Sequence, residues 1–323
     1  MFLLNLSQKH LGQSFNKLND DGLNLYVIVI LVNQRLYKLI VIFRYKMGDF
    51  DIPKFVKWAG GKTQLLDQFI PMFPEKFEKY FEPFVGSGAV AFYVLQNYNP
   101  KEVVLSDINE ELINAFNIIK TDVENLISKL KEHKENHTSN AKEYYYEIRA
   151  RNPEEMSNLD RAARFIYLNK TCFNGLYRVN SKNKFNVPIG SYKNPDVTQE
   201  DKLRKVSIIL KDVKIKVMSF EKVLELANKN DFVYFDPPYY PLKRSSFTTY
   251  TKNNFLEDEQ KLLADVFAKL DKRGCFVMLS NSDTDFIKEI YSNYDVSFVK
   301  ARRLINSNAN GRGKINEVVV RNY

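Results

Sequence analysis

Two hydrophobic periods alternate along this chain. The first is a short apolar run bounded by turn residues. Tyr80 to Val85, Glu102 to Asp107, Val213 to Met218, Asp231 to Asp236 and Gly274 to Leu279 are of this kind. Such runs, rich in Val and aromatic residues, predict strands, and runs apolar on both faces predict buried ones. Asp295 to Lys300 and Asn316 to Val320 predict a closing strand pair. The second period is helical. It marks Thr63 to Phe69, the stretch after Gly88, Leu112-Phe116-Ile119 and Leu126-Ile127-Leu130. It returns through Arg161, Arg164, Phe165 and Leu168, with Asn158 placed to cap that helix. Glu221 to Ala227, Glu257 to Leu270 and Thr284 to Tyr291 complete the series. Lys131 to Asn140 is strongly polar and predicts a linker. Strands alternating with helices predict an α/β fold on a mostly parallel sheet.

Residues 1–46 stand apart. Leu25 to Val32 and Leu39 to Phe43 are apolar, but Arg35 and Lys38 interrupt them. Neither run reaches the roughly 20 residues of a membrane span, and no small-residue cleavage site follows. The expectation is an upstream extension, with the working protein starting at Met47; a strand pair or a helix packed on the domain is the alternative.

Composition narrows the picture. The chain has 323 residues, 44% of them hydrophobic, which suffices for a full core and argues against general disorder. Its formal charge of +9 favours an anionic partner. Cys172 and Cys275 lie far apart and show no metal spacing, which points to a reducing compartment, the cytoplasm. Of three histidines, His133 and His137 sit in a charged stretch and read as solvated surface. No catalytic His or metal site is therefore expected.

The chemistry concentrates at three places. The strand Phe232-Val233-Tyr234-Phe235 runs into Asp236-Pro237-Pro238-Tyr239. Two prolines stop the strand and stiffen the corner, since each fixes φ and lacks an N–H. An acid and an aromatic ring are thus presented where ligands bind in α/β sheets, at the carboxyl ends of strands. Upstream lie Trp58-Ala59-Gly60-Gly61-Lys62 and Glu82-Pro83-Phe84-Val85-Gly86-Ser87-Gly88. Their glycines allow a backbone to approach a ligand closely. Asp107 ends the next strand, 19 residues after Gly88, and is placed for ribose hydroxyls. Gly86 to Ala91 also fits a dinucleotide turn, so NAD is a rival ligand at this point. The third place is Asn169 to Pro195, where Asn, Gly, basic and aromatic residues interleave as in an ordered loop or hairpin. Arg161 to Lys214 holds twelve Lys or Arg against four Asp or Glu. Basic groups there neutralise phosphates and aromatic groups enter a base stack; a solvated basic face is the plainer alternative. Leu242 to Phe255 is long enough for a lid, and Arg302, Arg303, Arg312 and Lys314 lie in a further loop rich in Gly and Asn, which could touch phosphate or be an exposed hairpin tip.

From Phe55 onward, four motifs in this order resemble the Dam-type (class alpha, D12) site-specific DNA adenine-N6 methyltransferases. They are Lys57-Trp58-Ala59-Gly60-Gly61-Lys62, the Glu82 to Gly88 turn, the block from Asn174-Gly175-Leu176-Tyr177-Arg178 to Asn186-Val187-Pro188-Ile189-Gly190, and Asp236-Pro237-Pro238-Tyr239. The resemblance implies a Rossmann-like S-adenosylmethionine-dependent sheet with helices on both faces, carrying an inserted, mainly helical DNA-recognition domain. The implied boundaries are 47–119 and 203–323 for the catalytic parts and 120–202 for the insert. It implies S-adenosylmethionine as methyl donor and S-adenosylhomocysteine as product. Trp58, Lys62, Glu82, Gly86, Gly88, Asp107 and Asp236 would hold the cofactor, Lys62 at its carboxylate and Asp107 at its ribose. Lys57, Leu176, Arg178, Pro188 and Tyr192 would read double-stranded DNA, at GATC, with Phe173 entering the duplex. Asp236 and Pro237 would hold the adenine amine and Tyr239 its ring. A family glycine is replaced by Cys172, which is expected to disturb the local backbone. The resemblance further implies a monomer, a separately acting restriction endonuclease as a possible companion, and no membrane.

Overall fold

The architecture follows from strands that bury both faces. In a computed structural model, the described residues are 15–18, 24–32, 35–41, 51–180, 182–242, 255–302 and 314–323. They fall into two units, Met1–Asp51 and Ile52–Tyr323. In the first unit, β1 (Phe15–Leu18), β2 (Asn24–Val32) and β3 (Arg35–Val41) form an antiparallel sheet in that order.

The second unit is built on seven strands: β4 (Lys79–Glu82), β5 (Glu102–Asp107), β6 (Lys214–Val217), β7 (Phe232–Phe235), β8 (Phe276–Ser282), β9 (Asp295–Arg302) and β10 (Lys314–Arg321). Their spatial order is β6-β5-β4-β7-β8-β10-β9. The first five are parallel, and β10 runs antiparallel between β8 and β9. The α/β expectation with a closing strand pair therefore holds. Side-chain alternation divides the core. Phe81, Val233, Phe235, Val277 and Leu279 face one side. There they meet Leu263, Val266, Phe267 and Leu270, the apolar stripe of the helix Glu257–Lys272. Phe232 and Tyr234 face the other side, where the Phe73 and Phe69 rings lie 5.7 and 6.0 Å away.

The helices are α1 (Leu66–Phe69), α2 (Ala89–Asn97), α3 (Glu110–Thr121), α4 (Val123–Ser139), α5 (Ala141–Ala150), α6 (Asn158–Thr171), α7 (Glu200–Ile209), α8 (Glu257–Lys272) and α9 (Asp285–Ile290). Several local expectations shift. Ser157, rather than Asn158, caps α6, its hydroxyl accepting from the Asp160 N–H. Glu221 to Ala227 is replaced by a 3-10 turn, Phe220–Glu225. Lys131 to Asn140 is no linker; almost all of it continues α4.

That last difference reverses the reading of two histidines. His133 and His137 are buried, on the same stripe as Leu126 and Leu130. His133 stacks on Tyr167 at 4.8 Å and bonds the Tyr144 hydroxyl at 2.8 Å, while His137 bonds the Tyr167 hydroxyl at 2.9 Å. Burial pushes the His133 pKa down to about 4. The charged residues between them occupy the outer face of the helix. The expected lid falls mostly on residues 243–254, and Arg303 and Arg312 on 303–313, all outside the described residues. Among the described residues, no helix is long and apolar enough to cross a membrane, and no acid, His and Cys group is arranged for a metal.

Candidate active site

The strand order reverses at β4, which has β5 on one side and β7 on the other. Ligands in open α/β sheets bind at such a switch point, beyond the carboxyl ends of the strands. Glu82 ends β4, Asp107 ends β5, and Asp236 follows β7. A cavity at this point is lined by Trp58, Gly60, Gly61, Lys62, Glu82, Gly86 and Asp236, among others. Five predicted cofactor residues are thus brought together: Trp58, Lys62, Glu82, Gly86 and Asp236.

The two glycines of the turn serve different purposes. Gly86 has φ +48°, and a Cβ there would lie 2.8 Å from Trp58 Cδ1, so it seats the tryptophan. Gly88, at φ +74°, instead packs below the turn, where a Cβ would come within 3.1 Å of Phe92 and 3.3 Å of Phe116. Asp107 accepts the Asn109 N–H at 3.0 Å and the Gly86 N–H at 3.4 Å. Burial raises its pKa to about 6. Glu82 accepts the Tyr80 hydroxyl at 2.6 Å, and burial raises its pKa to about 8.

At the corner, Lys62 Nζ lies 2.7 Å from Asp236 Oδ1 and bonds the Gly60 carbonyl at 2.6 Å. Ser280 Oγ donates to the same Oδ1 at 2.9 Å. Burial raises the Asp236 pKa, opposed by Lys62 and Ser280. Lys62 also sits 4.7 Å from the Tyr239 ring centroid, and the Tyr239 hydroxyl donates to Glu317 on β10 at 2.6 Å. The backbone just past the prolines is tied down. Gln260 Nε2 donates to the Pro238 carbonyl at 3.0 Å, and the Tyr240 N–H to Asn281 Oδ1 at 3.1 Å. Asn281 in turn donates to Gln260 Oε1 at 3.0 Å, closing a buried network.

The predicted recognition residues gather around Lys57. Asn169 accepts the Lys57 N–H at 2.8 Å and donates to the carbonyls of Lys57 at 2.8 Å and Gly175 at 3.1 Å. Lys57 Nζ donates to the Tyr192 hydroxyl at 3.0 Å. Phe173 is 51% exposed. Arg178 and Pro188 are exposed, and Leu176 is half-buried. Arg178 is steadied by a 2.7 Å bond from its Nε to Asn186 Oδ1. Two bridges, Cys172 with Ile189 and Val179 with Phe185, make the expected short hairpin. Cys172 does not disturb it: the residue is buried with φ −78° and ψ 163°, ordinary extended backbone.

Sequence reasoning missed Ser280, Glu317, Tyr80, Asn169 and Tyr177 as parts of the site. Tyr177 stacks on Trp58 at 5.7 Å and so joins the hairpin to the wall of the cavity.

Comparison with known proteins agrees with this geometry. The D12 class N6 adenine-specific DNA methyltransferase family matches residues 58–305. The chain belongs to this family. It is an adenine-N6 DNA methyltransferase, and the dinucleotide reading of the Gly86 turn falls away. Among D12-related proteins, the type II methyltransferase M.MjaIII of Methanocaldococcus jannaschii is 46% identical over 288 residues, covering 84% of this chain and all of its own. The DNA adenine methylase of Haemophilus influenzae is 39% identical, covering 82% of this chain and 92% of its own. The DNA adenine methylase of Escherichia coli is 36% identical, with 82% and 93% covered.

Proposed function

We propose that this D12 methyltransferase transfers a methyl group from S-adenosylmethionine to N6 of an adenine extruded from double-stranded DNA, within GATC. The observation that carries the reading is that Asp236 lines a cavity together with Gly60, Gly61, Gly86, Lys62 and Glu82. That donor set fits the cofactor. Lys62 is a cation for its carboxylate, Glu82 a buried acid for its ammonium group, and Asp107 an acceptor for its ribose hydroxyls. Ile108, half exposed beside Asp107, offers an apolar contact for a ring.

S-Adenosylmethionine supplies an electrophilic methyl carbon. The chain's task is to make a poor nucleophile competent, because the lone pair of an adenine amine is delocalised into its ring. Both contacts to Asp236 fall on Oδ1, which leaves Oδ2 as the acceptor for the substrate. With Oδ2 and the Pro237 carbonyl each accepting one amine hydrogen, the nitrogen is drawn toward tetrahedral geometry and its lone pair is released. The fixed acceptors also stabilise the positive charge that develops there. Extruding the base costs a few kcal/mol, which stacking on Tyr239 partly offsets. Residues 120–202 act as the inserted recognition part, with Lys57, Leu176, Arg178, Pro188 and Tyr192 reading the site and Phe173 filling the stack. The enzyme works as a monomer and, as a relative of type II methyltransferases, beside a separate endonuclease.

The test is to express the chain in a host lacking adenine methylation and sequence its DNA for modified bases. N6-methyladenine in GATC is expected. A different motif overturns the GATC assignment alone, whereas unmodified adenine overturns the whole reading.

A further inference from the structure

β8 runs alongside β7 in parallel register, with Phe235 opposite Leu279. Continuing that register sets Asp236 beside Ser280. The period-two alternation of a strand also sends Tyr234 and Asp236 to one face, two residues apart. Ser280 reaches both: its Oγ lies 2.9 Å from the Tyr234 hydroxyl and 2.9 Å from Asp236 Oδ1. Tyr234 and Ser280 are fully buried. A serine hydroxyl has one proton to give. Since that proton goes to the carboxylate, the Tyr234 hydroxyl is the donor in the other contact. The three groups form a one-way chain, Tyr234 to Ser280 to Asp236.

We propose that Ser280, held by Tyr234, is the positioning residue that orients the Asp236 carboxylate for the amine. This rests on the methyl-transfer reading above. Lys62 touches the same Oδ1 but is assigned to the cofactor's carboxylate as well, so its hold on Asp236 is shared. Ser280 is fixed in the neighbouring strand and has no other anion to serve. It keeps Oδ1 occupied and leaves Oδ2 to the amine. The other ionisable groups around the carboxylate are Lys62 from the separate 3-10 turn Lys62–Leu65, Glu82 and Tyr80 from β4, Tyr239 beyond β7, and Glu317 from β10. None of the acids or phenols among them donates a hydrogen bond to Asp236.

The experiment compares the full-length wild type with Ser280→Ala, Ser280→Thr and Tyr234→Phe. It measures kcat, KM for DNA, cofactor affinity, Tm and the pH profile of kcat. Ser280→Ala is expected to lower kcat by up to about 100-fold, as for a reacting group misplaced by about 1 Å. KM and cofactor affinity stay within twofold. Loss of the hydroxyl donor also moves the acidic limb of the profile upward by about one pH unit, since a hydrogen bond to the ionised form favours that form. Tyr234→Phe gives a smaller change in the same direction, and Ser280→Thr restores the wild-type limb. A lower Tm with kcat and pH profile intact overturns the proposal, as does a Ser280→Ala enzyme with wild-type kcat. If the wild type itself does not methylate adenine, the failure lies with the methyl-transfer reading instead. Should Ser280→Ala not fold, Tyr234→Phe carries the same test.

Discussion

Trp58 and Tyr177 stack with ring centroids 5.7 Å apart and planes 25° from parallel. Trp58 lines the cavity at the switch point, and Tyr177 immediately precedes the exposed Arg178. Phe165 packs against both rings, at 6.4 and 5.3 Å. The proposed cofactor turn and the proposed recognition hairpin therefore share one aromatic contact. Stacked pairs contribute about 0.5–1.5 kcal/mol beyond burial. Tyr177→Ala is expected to weaken cofactor binding by up to about tenfold and also to reduce discrimination between DNA sites. Trp58 is the single tryptophan, so its emission reports the first effect directly in a titration. Unchanged affinity and unchanged site preference would show the stack to be packing alone.

Lys62 is 4% exposed and its partner Asp236 is 19% exposed. Removing one member of a buried ion pair leaves an uncompensated charge, at a cost of about 3–5 kcal/mol. Protonation of Asp236 limits that cost, because burial already raises its pKa. Lys62→Met should lower Tm at neutral pH, and adding Asp236→Asn should recover most of the loss. A double-mutant cycle by denaturant unfolding measures the coupling, and additive effects would refute it.

Arg178 is exposed, with its Nε committed to Asn186. Arginine reads guanine through O6 and N7 with about 1–3 kcal/mol of discrimination. Arg178→Ala is expected to relax the sequence preference by that amount while leaving cofactor binding intact. Phe173→Ala should instead weaken DNA binding with the preference retained. Methylation of a substrate library by each variant separates the two.

Burial lowers the His133 pKa from an ordinary 6.5 to about 4. The folded state therefore favours the neutral ring. The stabilisation is complete above about pH 6.5 and is lost as pH falls toward 4, by up to roughly 3 kcal/mol. Wild-type Tm should fall more steeply than that of His133→Gln between pH 7 and 4.5. Parallel curves would count against a neutral buried imidazole.

Much of this was legible because the signals were local. Phe232 to Phe235 could only be a buried strand, and Asp236-Pro237-Pro238 had to end it. Gly86 and Asp107 marked the turn and the next strand end within a single βαβ unit. What escaped notice came from contacts across the sheet. Ser280 directly follows the predicted strand Gly274 to Leu279, but its bond to Asp236 depends on the β7–β8 register. Glu317 reaches Tyr239 from a strand 78 residues further on. The histidines misled for a different reason. Lys, Glu and Asn dominate their helix in number but lie on its outer face. The buried stripe Leu126, Leu130, His133, His137 was present in the spacing, and composition hid it.

Crowding both contacts onto Oδ1 makes the corner polar in a directional sense. An asparagine at position 236 has one oxygen and one NH2 group. Lys62 and Ser280 both donate, so they would select the rotamer with the amide oxygen toward themselves. The NH2 group would then point at the adenine amine, donor against donor. On the proposed role of Asp236, Asp236→Asn is thus more than the loss of a charge: it replaces an acceptor for the amine with a donor that opposes it.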